Sequence, residues 1–140
     1  MTYVDPDRGR FAEFRAIERE GPIEMLNLIR YRDQAAYEDG RAATGREAYA
    51  AYSRASQPIF ERVGGRQLWV GLPELMLIGP AEEQWDLAFI AAYPSGAAFV
   101  EMVRDPDYRE AVKYRTAAVA DSRLLRLRPA AAGVGFGTVG

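Results

Sequence analysis

The stretch GPIEMLNLIRYR, residues 21–32, opens on a glycine-proline stop and continues as a strand that is apolar on both faces. In an antiparallel sheet with one wet face, apolar and polar residues alternate. Here Met25 and Ile29 fall on one side and Leu26 and Leu28 on the other, so neither side reads as solvated. DLAFIAAYP, residues 86–94, repeats the pattern, with Leu87, Phe89 and Ala91 alternating with Ala88, Ile90 and Ala92. Helices of a small chain cover one face of such a sheet. The economical cover for the other is the sheet of a second copy, so a homodimer joined through its sheet faces is expected.

Working outward, Asp7 is placed to cap a helix carrying Phe11, Phe14 and Ile17, which is expected to stop at Gly21-Pro22. The first strand follows over 23–31. Residues 33–45, DQAAYEDGRAATG, form a polar connection longer than usual, read as a solvated insertion, with a lid or dimer arm as the alternative. Thr44 and Glu47 make a capping box, after which Tyr49, Tyr52, Ser56, Ile59, Phe60 and Val63 recur at helical spacing until Gly64-Gly65. RQLWVGLPELMLIG, residues 66–79, reads as a long strand interrupted at Gly71 to Pro73, and the short PAEEQW suits a hairpin into the 86–94 strand. Ser95 begins a short helix with Phe99, Met102 and Val103. Asp105-Pro106 begins another, with Tyr108, Val112, Arg115 and Val119 on one face. SRLLRLR, residues 122–128, is the last strand.

Setting the first helix aside, the order is βαββαβ, the ferredoxin-like α+β arrangement of an antiparallel sheet with helices on one face. One domain, 1–140, is expected: an N-terminal helical segment over 1–21, the core over 22–128 and a glycine-rich flexible tail over 129–140.

Composition narrows the chemistry. A chain of 140 residues with 49% hydrophobic and 27% charged residues builds its own core, and a net charge of -2 offers no basic footprint for nucleic acid. The absence of cysteine removes disulfides and thiolate metal sites; the absence of histidine removes serine triads, zincin helices and histidine-ligated haem. No metal and no cofactor are expected. The opening MTYVDPDRGR lacks the charged and apolar regions of a secretory signal, and no stretch has the length of a membrane span, so a cytoplasmic protein without membrane partners is expected.

Two polar residues interrupt apolar patterns. Asn27 shares a face with Met25 and Ile29, where an unsatisfied amide costs about 1–3 kcal/mol. It needs either a structural partner, such as nearby backbone, or a ligand. Arg115 lies at helical spacing with Tyr108 and Val112 and needs an anion: Asp86, Asp121 or a ligand carboxylate. Tyr49, Tyr52, Trp69, Tyr93 and Tyr108 are core candidates singly; taken with Asn27 and Arg115 they resemble the sparsely polar lining of a small-molecule pocket. Ser95 and Ser122 lack a base and serve as cap and strand end. Glu82-Glu83 is too local for a metal site, and Arg123, Arg126 and Arg128 read as a solvated strand end.

Five ordered segments, GPIEMLNLIRYR, GREAYAAY, GGRQLWVG, WDLAFIAAYPSGAAFVEMVRDPDY and YRTAAVADSRLL, together resemble the family called domain of unknown function 1330, from Gly21 to Leu125. The resemblance implies the dimeric α+β barrel superfamily, in which two ferredoxin-like units pair through their sheets. Its members include cofactor-free monooxygenases, muconolactone isomerases and haem enzymes that use histidine, the last class closed to this chain. The expectation is a small-molecule-binding dimer, possible as a cofactor-independent monooxygenase or isomerase acting on a small aromatic or carboxylate metabolite. Arg115 would hold the anion, Asn27 would orient a carbonyl or enolate, Tyr52 or Tyr93 would relay a proton, and Trp69, Tyr49 and Tyr108 would line the pocket. The alternative is a non-catalytic dimer that binds or senses a small molecule.

Overall fold

Four side chains end extended backbone and start helices by accepting orphan N–H groups. Asp7 accepts from Arg10 at the head of α1 (Arg8–Ala16), and Ser95 from Ala98 at the head of α3 (Gly96–Arg104). At α2 (Gly45–Arg62), Thr44 accepts from the Glu47 amide at 3.0 Å while the Glu47 carboxylate accepts from the Thr44 amide at 2.9 Å, completing the capping box. Asp105 accepts from Asp107 and Tyr108 at the head of α4 (Pro106–Ala118), where Pro106 has no N–H to leave unpaired.

The strands are β1 (Ile23–Tyr31), β2 (Arg66–Gly71), β3 (Leu87–Tyr93) and β4 (Val119–Leu127), and they pair antiparallel in the order β2-β3-β1-β4. This is the ferredoxin-like α+β fold with one added N-terminal helix. The computed structural model describes residues 2–137; the end of the glycine-rich tail, 138–140, lies outside the described residues.

Register sorts the residues by face. Met25 lies between Ala91 and Arg126, Asn27 between Phe89 and Leu124, and Ile29 between Leu87 and Ser122. On this face Ile23, Met25, Ala91 and Tyr93 meet Ile59 of α2 and its C-cap Val63, Phe99 and Met102 of α3 and Tyr108 of α4 in one core cluster. Phe14 carries α1 onto the same layer, its ring 5.0 Å from Phe99. A second cluster gathers Ile29, Ala48, Tyr49, Ala118 and Val119. The outer face carries Leu26, Leu28 and Ile90, half-buried, with Trp69 and Leu125 50% and 55% exposed.

Several expected boundaries move. α1 stops at Ala16, because Ile17 turns extended and gives its N–H to Phe14; Gly21, at φ 99°, serves the turn into β1 rather than a helix cap. The strand expected over 66–79 ends at Gly71, since Pro73 cannot donate to a ladder, and 72–86 form a long irregular connection instead of a short hairpin. β4 starts at Val119, directly at the end of α4, so Val119 is a buried strand residue rather than part of the helix face. The 33–45 segment is fastened to its own chain: Arg32 and Ala36 donate to the carbonyls of Ala118 and Ala117 at 2.8 and 2.9 Å, and Gln34 bridges Thr44.

That tie makes Gly45 a close backbone contact. A Cβ there would lie 2.0 Å from the Arg32 carbonyl oxygen and 2.9 Å from that of Ala118. Gly45→Ala is expected to cost about 3 kcal/mol, at the upper end for overpacking, because the clash is with backbone that side-chain rotation cannot relieve. A lower urea midpoint at unchanged slope checks this; an unchanged midpoint contradicts the contact.

Asp121 ties the N-terminus to β4. Its carboxylate accepts from the amides of Tyr3 and Ser122 at 2.8 and 2.9 Å and pairs with Arg123 at 2.8 Å. Burial pushes the carboxyl up, but these donors together outweigh it and hold it below the usual aspartate range. A depressed folded pKa contributes stability above the unfolded value of about 3.9 and loses it as pH falls through the lower folded value. The stability gap between wild type and Asp121→Asn should therefore be widest near neutral pH and close on acidification, as read from urea midpoints at pH 7, 5 and 3. A gap that stays constant means the carboxylate charge contributes nothing.

Candidate functional site

Alternate positions on three strands and helical spacing on two helices turn side chains toward one another beneath the N-terminal segment, leaving a cavity of about 1280 Å3. Its floor is Met25 and Asn27 of β1, Phe89, Ala91 and Tyr93 of β3, and Ser122, Leu124 and Arg126 of β4. Tyr49 and Tyr52 of α2 and Tyr108, Val112 and Arg115 of α4 face them, and residues 3–7 with Phe11 and Phe14 close one side. Of the residues expected at a site, Asn27, Tyr49, Tyr52, Tyr93, Tyr108 and Arg115 line this one space.

Trp69 does not. Ladder register shifts between Gln67 and Trp69, placing Gln67 opposite Ala91 but Trp69 opposite Ile90, on the outer face. One extra residue in a strand exchanges the faces of everything beyond it, and plain alternation cannot reveal that.

Asn27 has a structural partner and a cavity position at once. Its amide nitrogen donates to the Met25 carbonyl of its own strand at 3.1 Å, and the residue is only half-buried. Arg115 is held by neither Asp86 nor Asp121. Its guanidinium donates to the Val4 carbonyl and to Ser122 Oγ at 3.4 Å, and pairs with Asp5 at 3.6 Å. Asp86 instead accepts from the Tyr31 amide at 2.8 Å. Arg115 thus fastens the N-terminal wall of the cavity to α4 and β4.

The tyrosines form a graded set. Tyr52 and Tyr108 share a hydroxyl-hydroxyl hydrogen bond of 2.7 Å, and Tyr93 donates to Met102 Sδ at 3.8 Å. Burial, reinforced by Tyr52, raises the Tyr93 and Tyr108 phenols well above the ordinary value; burial does the same at Tyr49 against the opposing pull of Arg115. All three remain protonated at physiological pH, donors rather than bases. Tyr49 is only 6% exposed, yet its hydroxyl has no hydrogen-bond partner among the described residues. Since no fully enclosed side-chain oxygen or nitrogen there goes unpartnered, that hydroxyl opens onto the cavity.

The residue missed from sequence is Arg126. Read as a solvated strand end, it instead alternates with Ser122 and Leu124 on the helix face, opposite Met25. Its guanidinium lies 4.7 Å above the Phe14 ring and donates to the Phe14 carbonyl at 3.3 Å. The approach runs over Gly96, where a Cβ would be 3.0 Å from the guanidinium. Among the described residues no carboxylate pairs with Arg126, and burial, with Arg19 nearby, pulls its pKa down. The period-two pattern from Ser122 was the available signal; it becomes readable once the register with β1 is known. Among the described residues no cluster of acidic side chains could hold a metal ion, and no helix is long and apolar enough to cross a membrane.

The chain is similar over most of its length to solved structures. The RPA0582 protein in methylated form is 64% identical, with a TM-score of 0.92, over 95% of this chain and 99% of that one. The RPA0582 protein of unknown function from Rhodopseudomonas palustris is 62% identical, with a TM-score of 0.90, over 94% and 99%. A dimeric ferredoxin-like protein of unknown function from Bacteroides fragilis shares the fold alone, at 14% identity and a TM-score of 0.50, over 76% of this chain and 94% of that one. No curated protein matches. Residues 40–126 match the family described as domain of unknown function (DUF1330), and with that share of the chain matched, spanning α2 through β4, the protein belongs to this family.

Proposed function

We propose that the chain is a cytoplasmic, homodimeric small-molecule-binding protein whose cavity takes an amphipathic monocarboxylate. The observation that carries this reading is a pair of groups on the cavity wall: the Tyr49 hydroxyl, without a hydrogen-bond partner among the described residues, and Arg126, which has a backbone carbonyl and an aromatic ring but no carboxylate. Ser122, close to the Tyr49 cluster, and Arg126 are four residues apart on β4, about 14 Å along the strand. Between them the walls are Phe89, Leu124, Val112 and Met25. An apolar body with an anionic end and an oxygen acceptor matches that distribution, and arginine suits a carboxylate bidentately. Arg115, already engaged by Val4, Asp5 and Ser122, then serves to hold the wall rather than the ligand.

A cofactor-independent isomerase or monooxygenase is the second reading. One observation favours it: the Tyr52–Tyr108 hydroxyl pair provides a neutral donor in the cavity that Asn27 also lines, suited to stabilising an enolate oxygen. Turnover of a ligand that binds would select this reading over simple binding.

Native mass spectrometry for a co-purifying ligand, followed by titration with aromatic and medium-chain monocarboxylates and their uncharged amides, tests the proposal. Wild type should prefer the acids. Arg126→Gln should weaken acid binding about 10- to 100-fold, the range of a charge-assisted hydrogen bond, with little change in unfolding midpoint. Equal affinity for acid and amide overturns the anionic assignment.

Tyr49→Phe removes one hydroxyl that the fold does not use. It should leave stability unchanged within about 0.5 kcal/mol while weakening the same ligands about fivefold, a loss of about 1 kcal/mol. Substantial destabilisation by this substitution would instead assign the hydroxyl to the fold.

A further inference from the structure

Residues 72–79, LPELMLIG, leave the end of β2 with their aliphatic side chains in solvent. Leu72, Leu75, Leu77 and Ile78 are 73%, 78%, 83% and 90% exposed. Single exposed leucines are ordinary, but four in seven residues make a contiguous apolar surface of a kind that marks a contact. The base of the segment is fixed. Gly71 still pairs with Ala88, and on return the Glu82 carbonyl accepts from Arg30 at 3.3 Å, Glu83 pairs with Arg123 at 2.8 Å, and Asp86 donates to the Ile29 carbonyl at 2.8 Å. The segment is therefore presented outward from anchored ends.

We propose that residues 72–79 are an arm that lies on the outer sheet face of a second copy of this chain, with that copy's arm lying reciprocally on this one. Two observations and one symmetry argument select a second copy. The receiving surface is on the same chain: Trp69 and Leu125 stand half-exposed on the outer face. Arm and face are also continuous, since the arm leaves directly from the edge strand β2, two residues beyond the outward-facing Trp69. A twofold axis covers both surfaces of both chains at once, whereas an unrelated partner would have to match two different surfaces. A lipid surface fits less well, because the arm's one charge is Glu74 and membrane-binding segments carry lysine and arginine. The inference rests on the homodimer proposed above and is independent of the cavity and its ligand.

Sedimentation of wild type and of the double variant Leu77→Asp/Ile78→Asp over a concentration series tests the arm, with circular dichroism to verify folding. Wild type should be a dimer whose dissociation constant rises at least about a hundredfold in the variant, while Glu74→Gln stays dimeric. Chymotryptic cleavage within 72–79 of wild type should accelerate on dilution through the dissociation constant, which keeps the proposal testable if the variant fails to fold. A dimer unaffected by the variant, with cleavage equal at all concentrations, overturns the arm and leaves a dimer made by sheet faces alone. A monomeric wild type overturns both. Protection of the arm only by phosphatidylcholine vesicles assigns it to lipid and also overturns the proposal.

Discussion

β1 is hydrogen-bonded along both edges, to β3 from Ile23 to Ile29 and to β4 from Glu24 to Tyr31, and this double register decides where every other side chain of the sheet points. Met25, Asn27 and Ile29 face the helices because their ladder partners do, and a slip of one residue would carry the whole set to the other side. The hydrogen bonds themselves do not choose between the two registers. Burial does, since Ile23 and Ile29 are fully enclosed only when they meet the helix layer.

The same register separates two surfaces with different chemistry. On the helix side the layer of α2, α3 and α4 fills the core around Tyr93 and Phe99 but leaves a space beneath the N-terminal segment, polar only at a few points. On the outer side nothing comparable is present among the described residues; the 82–86 return covers only the end near Arg30 and Arg123. The cavity and the exposed face are thus two consequences of one arrangement, a two-sided apolar sheet with a single helical layer.

Arg115 and Arg126 show how position sets the role of one residue type. Arg115 is surrounded by acceptors from Val4, Asp5 and Ser122, and its charge is spent on holding the chain's first residues in place. Arg126 has one backbone carbonyl and an aromatic face, and its charge is left uncompensated where the walls are apolar. In a partly desolvated site an uncompensated cation favours an anion more strongly than the same cation does in water.

Much was legible locally. Thr44 with Glu47, Asp105 with Pro106, and Asp7 and Ser95 mark helix starts because capping depends on residues within one turn. The period-two stretches of β1 and β3 mark strands. What lay beyond the sequence depended on contacts distant in the chain. Asp5 reaches Arg115, and the bulge beside Trp69 is defined only against β3. Gly45 matters through the backbone of Arg32 and Ala118, and Arg126 enters the cavity because β4 pairs with β1 in one particular register. The sequence by itself determined the caps, the strand periods and the order βαββαβ, all of which arise from interactions between near neighbours. Only the tertiary structure decided which polar groups were satisfied and which were left facing open space, because satisfaction depends on what a distant segment brings within hydrogen-bond reach.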